Sequence, residues 1–68
     1  MIVKANSVAV GDIIVHDNQE VKVIGITVID AGGFVGLELE YYEAAPVYTG
    51  YSNISRSDEI RVLKSAQP

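Results

Sequence analysis

The chain has no cysteine, one histidine and two prolines among its 68 residues. Without cysteine, neither a disulfide framework nor a thiolate metal site can form. A metal site built on His16 would need carboxylate partners, and none stands at a telling spacing, so no metal and no cofactor is expected. Positive charge is scarce: five Lys and Arg face nine Asp and Glu, for a net charge of -4. The cations, Lys4, Lys22, Arg56, Arg61 and Lys64, are scattered along the chain. Sequence-independent nucleic-acid binding needs several cations tracking phosphates, so this balance argues against it. No apolar run approaches the roughly 18 residues of a membrane helix, and the opening "MIVKANS" is too short for a signal-peptide core. The expectation is a complete, soluble, cytoplasmic protein forming one domain over residues 1–68.

Helical periodicity is missing as well. No segment of ordinary helix length places apolar residues at 3.6 spacing, and there is no internal repeat or linker. What remains is strand patterning. Gly11 to His16 is short, apolar and β-branched, and "HDNQ" supplies a tight reversal, because Asp17 and Asn18 tolerate positive φ. From Glu20 the chain runs "EVKVIGITVID", with Val21 and Val23 alternating against Glu20 and Lys22. The alternation breaks at Gly25, where a bulge or bend is expected. "AGG", Ala31 to Gly33, reads as the next turn. In "FVGLELEYY", Val35, Leu37, Leu39 and Tyr41 share one face, while Phe34, Gly36, Glu38, Glu40 and Tyr42 share the other, an acidic stripe with an aromatic at each end. Pro46 belongs in a loop or at an edge. A short strand over Tyr51 to Ser55 follows, then a turn or single 3₁₀ loop at Ser57 and Asp58, a closing strand with Ile60 and Val62, and a frayed "KSAQP" tail. The expected core is Val21, Val23, Val35, Leu37, Leu39, Ile60 and Val62.

Five short strands, a bent second strand and a 3₁₀ turn before the last strand describe an all-β, SH3-like barrel. The stretch "SVAVGDIIVHDNQEVKVIGI" resembles the opening of stand-alone small barrels of phages and mobile elements, and of KOW-type barrels of transcription and translation proteins. In these a Val-Gly-Asp turn precedes a strand, a polar turn and a long second strand. The closing "SDEIRVL" is similar to their last turn and strand. The opening also resembles part of the intein-like fold, but the chain lacks the splice-junction Cys or Ser and the terminal Asn of that activity. The phage-type resemblance implies a non-enzymatic accessory protein; the KOW-type one implies nucleic-acid binding.

Catalytic chemistry finds little footing. His16 and Asp17 are neighbours that could act as an acid–base couple, but a nucleophile or oxyanion site would also be needed, and a turn histidine bonded to backbone is the simpler reading. Asp12 in "VGD" is expected to accept backbone N–H bonds in the manner of an Asx turn. Gly32, Gly33 and Gly36 are wrongly spaced to cradle phosphate, and no helix follows them. No catalytic residue is assigned.

The tyrosines carry more. Tyr41, Tyr42, Tyr48 and Tyr51 stand among Glu38, Glu40 and Glu43. Tyrosine offers a flat apolar ring with a polar tip at low entropy cost, and is enriched at recognition surfaces. Rings beside carboxylates could also cage a cation, or could simply pack. Glu38, Glu40, Tyr42, Tyr48 and Tyr51 are the candidate interaction surface. The chain is also 49% hydrophobic, with a mean hydropathy of +0.23, more apolar matter than so small a core can hide. Some of Ile14, Ile24, Ile29, Val47 and Tyr42 must then lie on the outside, and Ile14, Ile24, Ile29 and Val47 are the candidate self-association patch. A symmetric dimer is the simplest closed solution, with edge pairing around Pro46 disfavoured by the missing donor. Three functions remain: an interaction module that self-associates and binds a host or viral protein, a KOW-like nucleic-acid binder or acidic nucleic-acid mimic, and a small oligomeric enzyme with its site on a symmetry axis.

Overall fold

A computed structural model of the chain describes residues 1–29 and 32–66, with the side chains of Val28 and Ile29 outside that description. The described residues form six strands and one 3₁₀ turn: β1 (Ile2–Lys4), the 3₁₀ turn (Ala5–Ser7), β2 (Ile13–His16), β3 (Gln19–Ile29), β4 (Phe34–Tyr41), β5 (Tyr48–Ser55) and β6 (Glu59–Lys64). They make one antiparallel sheet in the order β1-β6-β2-β3-β4-β5, which does not close on itself.

The local chemistry of the turns sets the meander. Asp17 and Asn18 adopt φ of 51° and 62°, the left-handed pair that a two-residue hairpin with the right twist requires. They join β2 to β3 in the register His16↔Gln19 to Ile13↔Lys22. Along β3 the pairing with β4 runs Val23↔Leu39 and then Gly25↔Glu38, so Ile24 is the extra residue of a bulge. The bulge changes parity: before it Val21 and Val23 face inward, and after it Ile26, opposite Leu37, takes the inner side and packs against the core. One strand thereby serves both halves of a curved sheet. Pro46 lies in the connection between β4 and β5, as expected of a residue that cannot donate to a ladder.

The core holds Ala5, Val8, Ile14, Val21, Val23, Val35, Leu37, Leu39, Ile60 and Val62. All seven residues expected there are buried. At about 25 cal/mol per Å² of apolar surface, this interior is the main favourable term in folding. Ala5 and Val8 reach it because the chain turns inward after β1, with the Ala5 N–H bonded to the Asp58 carbonyl at 2.8 Å.

Several expectations are corrected. There are six strands rather than five, because Ile2–Lys4 pairs with β6 in the register Ile2↔Arg61 to Lys4↔Glu59. The 3₁₀ turn lies at Ala5–Ser7, not before the last strand, where residues 56–58 make a turn closed by the Asp58 N–H on the Ser55 carbonyl at 3.0 Å. Ile14 is fully buried rather than exposed, because its partners Val21 and Val62 place it on the core face. Ile13 and Val15 are then the residues of β2 that turn outward, each half-buried. Nor is the tail frayed at Ala66, whose N–H donates to Asp12 Oδ1 at 2.8 Å.

Asp12 is the charged group buried among the described residues, at 4% exposure. Its Oδ2 accepts from the Ala9 N–H at 2.9 Å, closing the turn as expected, and its Oδ1 ties down the tail. A buried carboxylate costs free energy unless such donors replace its water. Gly11 beside it sits at φ +98°, and a Cβ there would stand 2.9 Å from that of Ala66. The turn and the tail are therefore one packed unit.

Candidate interaction surface

The face of the sheet turned away from the core collects most of the candidate residues. Directly opposed residues in an antiparallel pair project to the same side. Glu38 of β4 stands opposite Gly25 of β3 and Tyr51 of β5; Glu40 stands opposite Lys22 and Thr49. Glu38 and Glu40 are half-buried and Tyr51 is 65% exposed. Two glycines make this face what it is. The Glu38 carboxylate lies where a Gly25 side chain would be, with Oε1 2.9 Å from that point. The Tyr51 ring lies over Gly36, 3.3 Å from where its Cβ would stand. From there Tyr51 Oη reaches Thr27 Oγ1 on β3 at 3.2 Å. Tyr51 is thus folded back across β4, away from the outer edge of β5.

Tyr42 extends the same face past the end of β4. Its hydroxyl donates to Glu20 Oε2 at 2.9 Å. Partial burial raises its pKa above 10.0, helped by that hydrogen bond and by the charges of Glu20 and Glu43, since all three favour the neutral phenol. Glu20, Lys22, Glu38, Glu40, Tyr42 and Tyr51 therefore share one surface. Lys22 is the cation that the register sets among these carboxylates, and among the described residues it forms no ion pair.

Tyr48 departs from the set. Its partner in the register is Tyr41, and the two rings stack with centroids 4.5 Å apart and planes 8° from parallel. Tyr41 packs on the core and lies over Gly50, 3.1 Å from where a Cβ would be. The pair consequently occupies the inner side of the sheet at its edge, with Tyr48 half exposed. Burial, then the neighbouring Tyr48 and Asp17, raise the Tyr41 pKa.

A cleft of about 150 Å³ opens beside Tyr41, lined by Gln19, Glu20, Glu43 and Ala44. No pattern in the sequence marks it, because it forms only where the β2–β3 hairpin meets the chain leaving β4. His16 Nε2 and Asp17 Oδ2 approach to 3.5 Å at the surface. The two neighbours converge where strand alternation gives way to a left-handed turn, against the expectation of a backbone-bonded histidine. Of the expected self-association residues, Val47 is exposed, Ile24 is half-buried at the bulge, Ile14 is interior, and the Ile29 side chain lies outside the described residues. Among the described residues no three His, Cys, Asp or Glu are grouped to hold a metal, and no helix is long and apolar enough to cross a membrane. No protein-family model matches the chain, and comparison with curated proteins and with solved structures found no match.

Proposed function

We propose that this protein is a non-enzymatic protein-interaction module of the phage-type accessory kind, acting in the cytoplasm, which self-associates and presents the acidic, tyrosine-bearing face of its sheet to a basic segment of a partner protein. The observation that carries this reading is the gathering of Glu20, Glu38, Glu40, Tyr42 and Tyr51 on one face, with Lys22 as the cation among them. Carboxylates flanked by tyrosine rings suit Lys or Arg, whose charge pairs with the former and whose stem or guanidinium plane lies on the latter. Both rings are held by hydrogen bonds, and Tyr51 is also seated over Gly36, so they lose little further freedom on binding. The SH3-like reading of the fold belongs to the same proposal. It is supported by the bulge in the long strand β3 and by the return of the last strand, β6, to lie beside β2.

The test is a fluorescence titration with a labelled Lys/Arg-rich peptide and its Glu-rich counterpart. Binding of the basic peptide alone, weakening as salt is added and lost in the double variant Glu38→Lys/Glu40→Lys, is the expected result. Equal binding by a folded double variant refutes the face, and retention of the wild type on heparin at low salt would favour a nucleic-acid ligand instead.

A further inference from the structure

The sheet has two edges, and they are built differently. β1 is three residues long and carries Lys4. Short length and a lysine are the usual protections of an exposed edge. β5 is eight residues, "YTGYSNIS", with no charge, no proline and no register shift in its pairing with β4.

Which of its backbone groups are open follows from the hydrogen bonds. The Arg56 N–H donates to the Gly33 carbonyl at 3.0 Å, and these two residues continue the β4–β5 register in which Phe34 opposes Ser55. Hydrogen-bonded pairs alternate along an antiparallel ladder, so Tyr48, Gly50, Ser52 and Ile54 bond to β4. The N–H and C=O of Thr49, Tyr51 and Asn53 point away from the sheet. None of them has a backbone partner elsewhere among the described residues. Neither tyrosine of the strand covers them, because Tyr51 is drawn back over Gly36 to Thr27 and Tyr48 stacks on Tyr41.

We infer that β5 is the self-association site: a second copy pairs its own β5 antiparallel to this one, about a two-fold axis through Tyr51, joining the two sheets into one. This deepens the self-association part of the function proposed above. The register follows from three constraints. A two-fold axis perpendicular to the sheet keeps core faces on the same side, so opposed residues must have the same parity. Centring on Tyr51 pairs Tyr51 with itself and Thr49 with Asn53 of the second copy, and every open N–H and C=O of these residues gains a partner. It also sets the half-exposed Tyr48 against Ile54 of the second copy on the inner side, an aromatic–β-branched cross-strand pair.

Charge selects the same strand. The chain carries a net charge of -4, so two copies repel unless their carboxylates are kept apart. β5 is a neutral spacer. Glu38 and Glu40 of the two copies lie three strand spacings apart across the joint, about 14 Å, beyond the Debye length of about 8 Å at physiological ionic strength.

Sedimentation of the wild type across a wide micromolar range is the first measurement, with the variants Thr49→Pro and Asn53→Pro beside it. Proline removes an N–H that faces outward at both positions, so the β4–β5 ladder is left whole while the proposed joint loses donors. The wild type is expected to move with concentration from 7.3 kDa to twice that mass, and each proline variant to stay at the lower mass. A wild type that remains at 7.3 kDa throughout overturns the proposal, as does a folded proline variant that still dimerises. Should a proline variant fail to fold, amide exchange of the wild type decides. Protection at Thr49, Tyr51 and Asn53 that rises with protein concentration supports the joint, and fast exchange there at every concentration overturns it. The basic-peptide titration is read separately, so loss of one result leaves the other standing.

Discussion

Replacing Asp12 by Ala removes both acceptors that bind the turn to the tail. The hydrogen bonds lost are those from the Ala9 N–H at 2.9 Å and the Ala66 N–H at 2.8 Å. Hydrogen bonds to a charged group contribute about 1.5–3 kcal/mol each. Both amides are part-buried and regain some water when freed, so the low end applies, about 3 kcal/mol for the two together. A domain of this size has a total stability of about 5 kcal/mol, and the variant should sit near its unfolding midpoint in mild urea. The contribution of the tail is separable by a double-mutant cycle. Ala66→Pro deletes the donor while keeping the chain length. If the Asp12–Ala66 bond is real, Asp12→Ala should cost about 1.5 kcal/mol less in the Ala66→Pro background than in the wild type. Urea unfolding followed by tyrosine fluorescence, with equal slopes across the four proteins, gives the coupling. Strict additivity would refute the clamp, because two groups that do not meet cannot couple.

Leu37 is fully buried on the inner face of β4, so Leu37→Ala should cost roughly 2–5 kcal/mol; melting within a degree or two of the wild type would show that the core face is misassigned. Gly25 and Gly11 should respond differently to Ala, since each new methyl stands 2.9 Å from an existing atom. At Gly25 that atom is the free end of the Glu38 side chain, which can swing aside, while the Glu38 Cβ at 3.3 Å must yield slightly, so a loss of about 1 kcal/mol, smaller than at Gly11, is expected. At Gly11 it is the Ala66 Cβ, and φ is +98°, so thermal unfolding should show a loss of at least about 1–2 kcal/mol. The Tyr42 phenol should titrate above 10.0 by ultraviolet absorbance, and Glu20→Gln should lower that value by removing the charge beside it. The raised value means that the folded state holds the phenolic proton more tightly than the unfolded chain. Its stabilising contribution is therefore present below pH 10.0 and lost as pH rises through the folded pKa. An unshifted titration in the folded protein would contradict the Tyr42–Glu20 contact.

The sequence by itself determined those features whose causes are local. Alternation along "EVKV" and "VGLEL" separated the faces of β3 and β4, and burial of Val21, Val23, Val35, Leu37 and Leu39 follows from it. Asp17 and Asn18 encode a left-handed two-residue turn through their own backbone preferences. Gly25 announced the break in β3, and Asp12 its backbone-accepting role, because short side chains next to a turn have few other partners. Other features have causes that lie far along the chain. Alternation in "IIVH" distinguishes Ile14 from Ile13 and Val15 but does not say which is inside; that is decided by Val62, brought alongside by β6. β1 is too short to persist alone and exists because β6 offers it partners, down to the Val62 N–H bonded to the Met1 carbonyl at 2.7 Å. Tyr48 and Tyr51 look alike in sequence, yet one stacks on Tyr41 inside the edge and the other crosses Gly36 outside it. An alternating strand has two faces of known composition, and only the strands folded against it determine which of them water reaches.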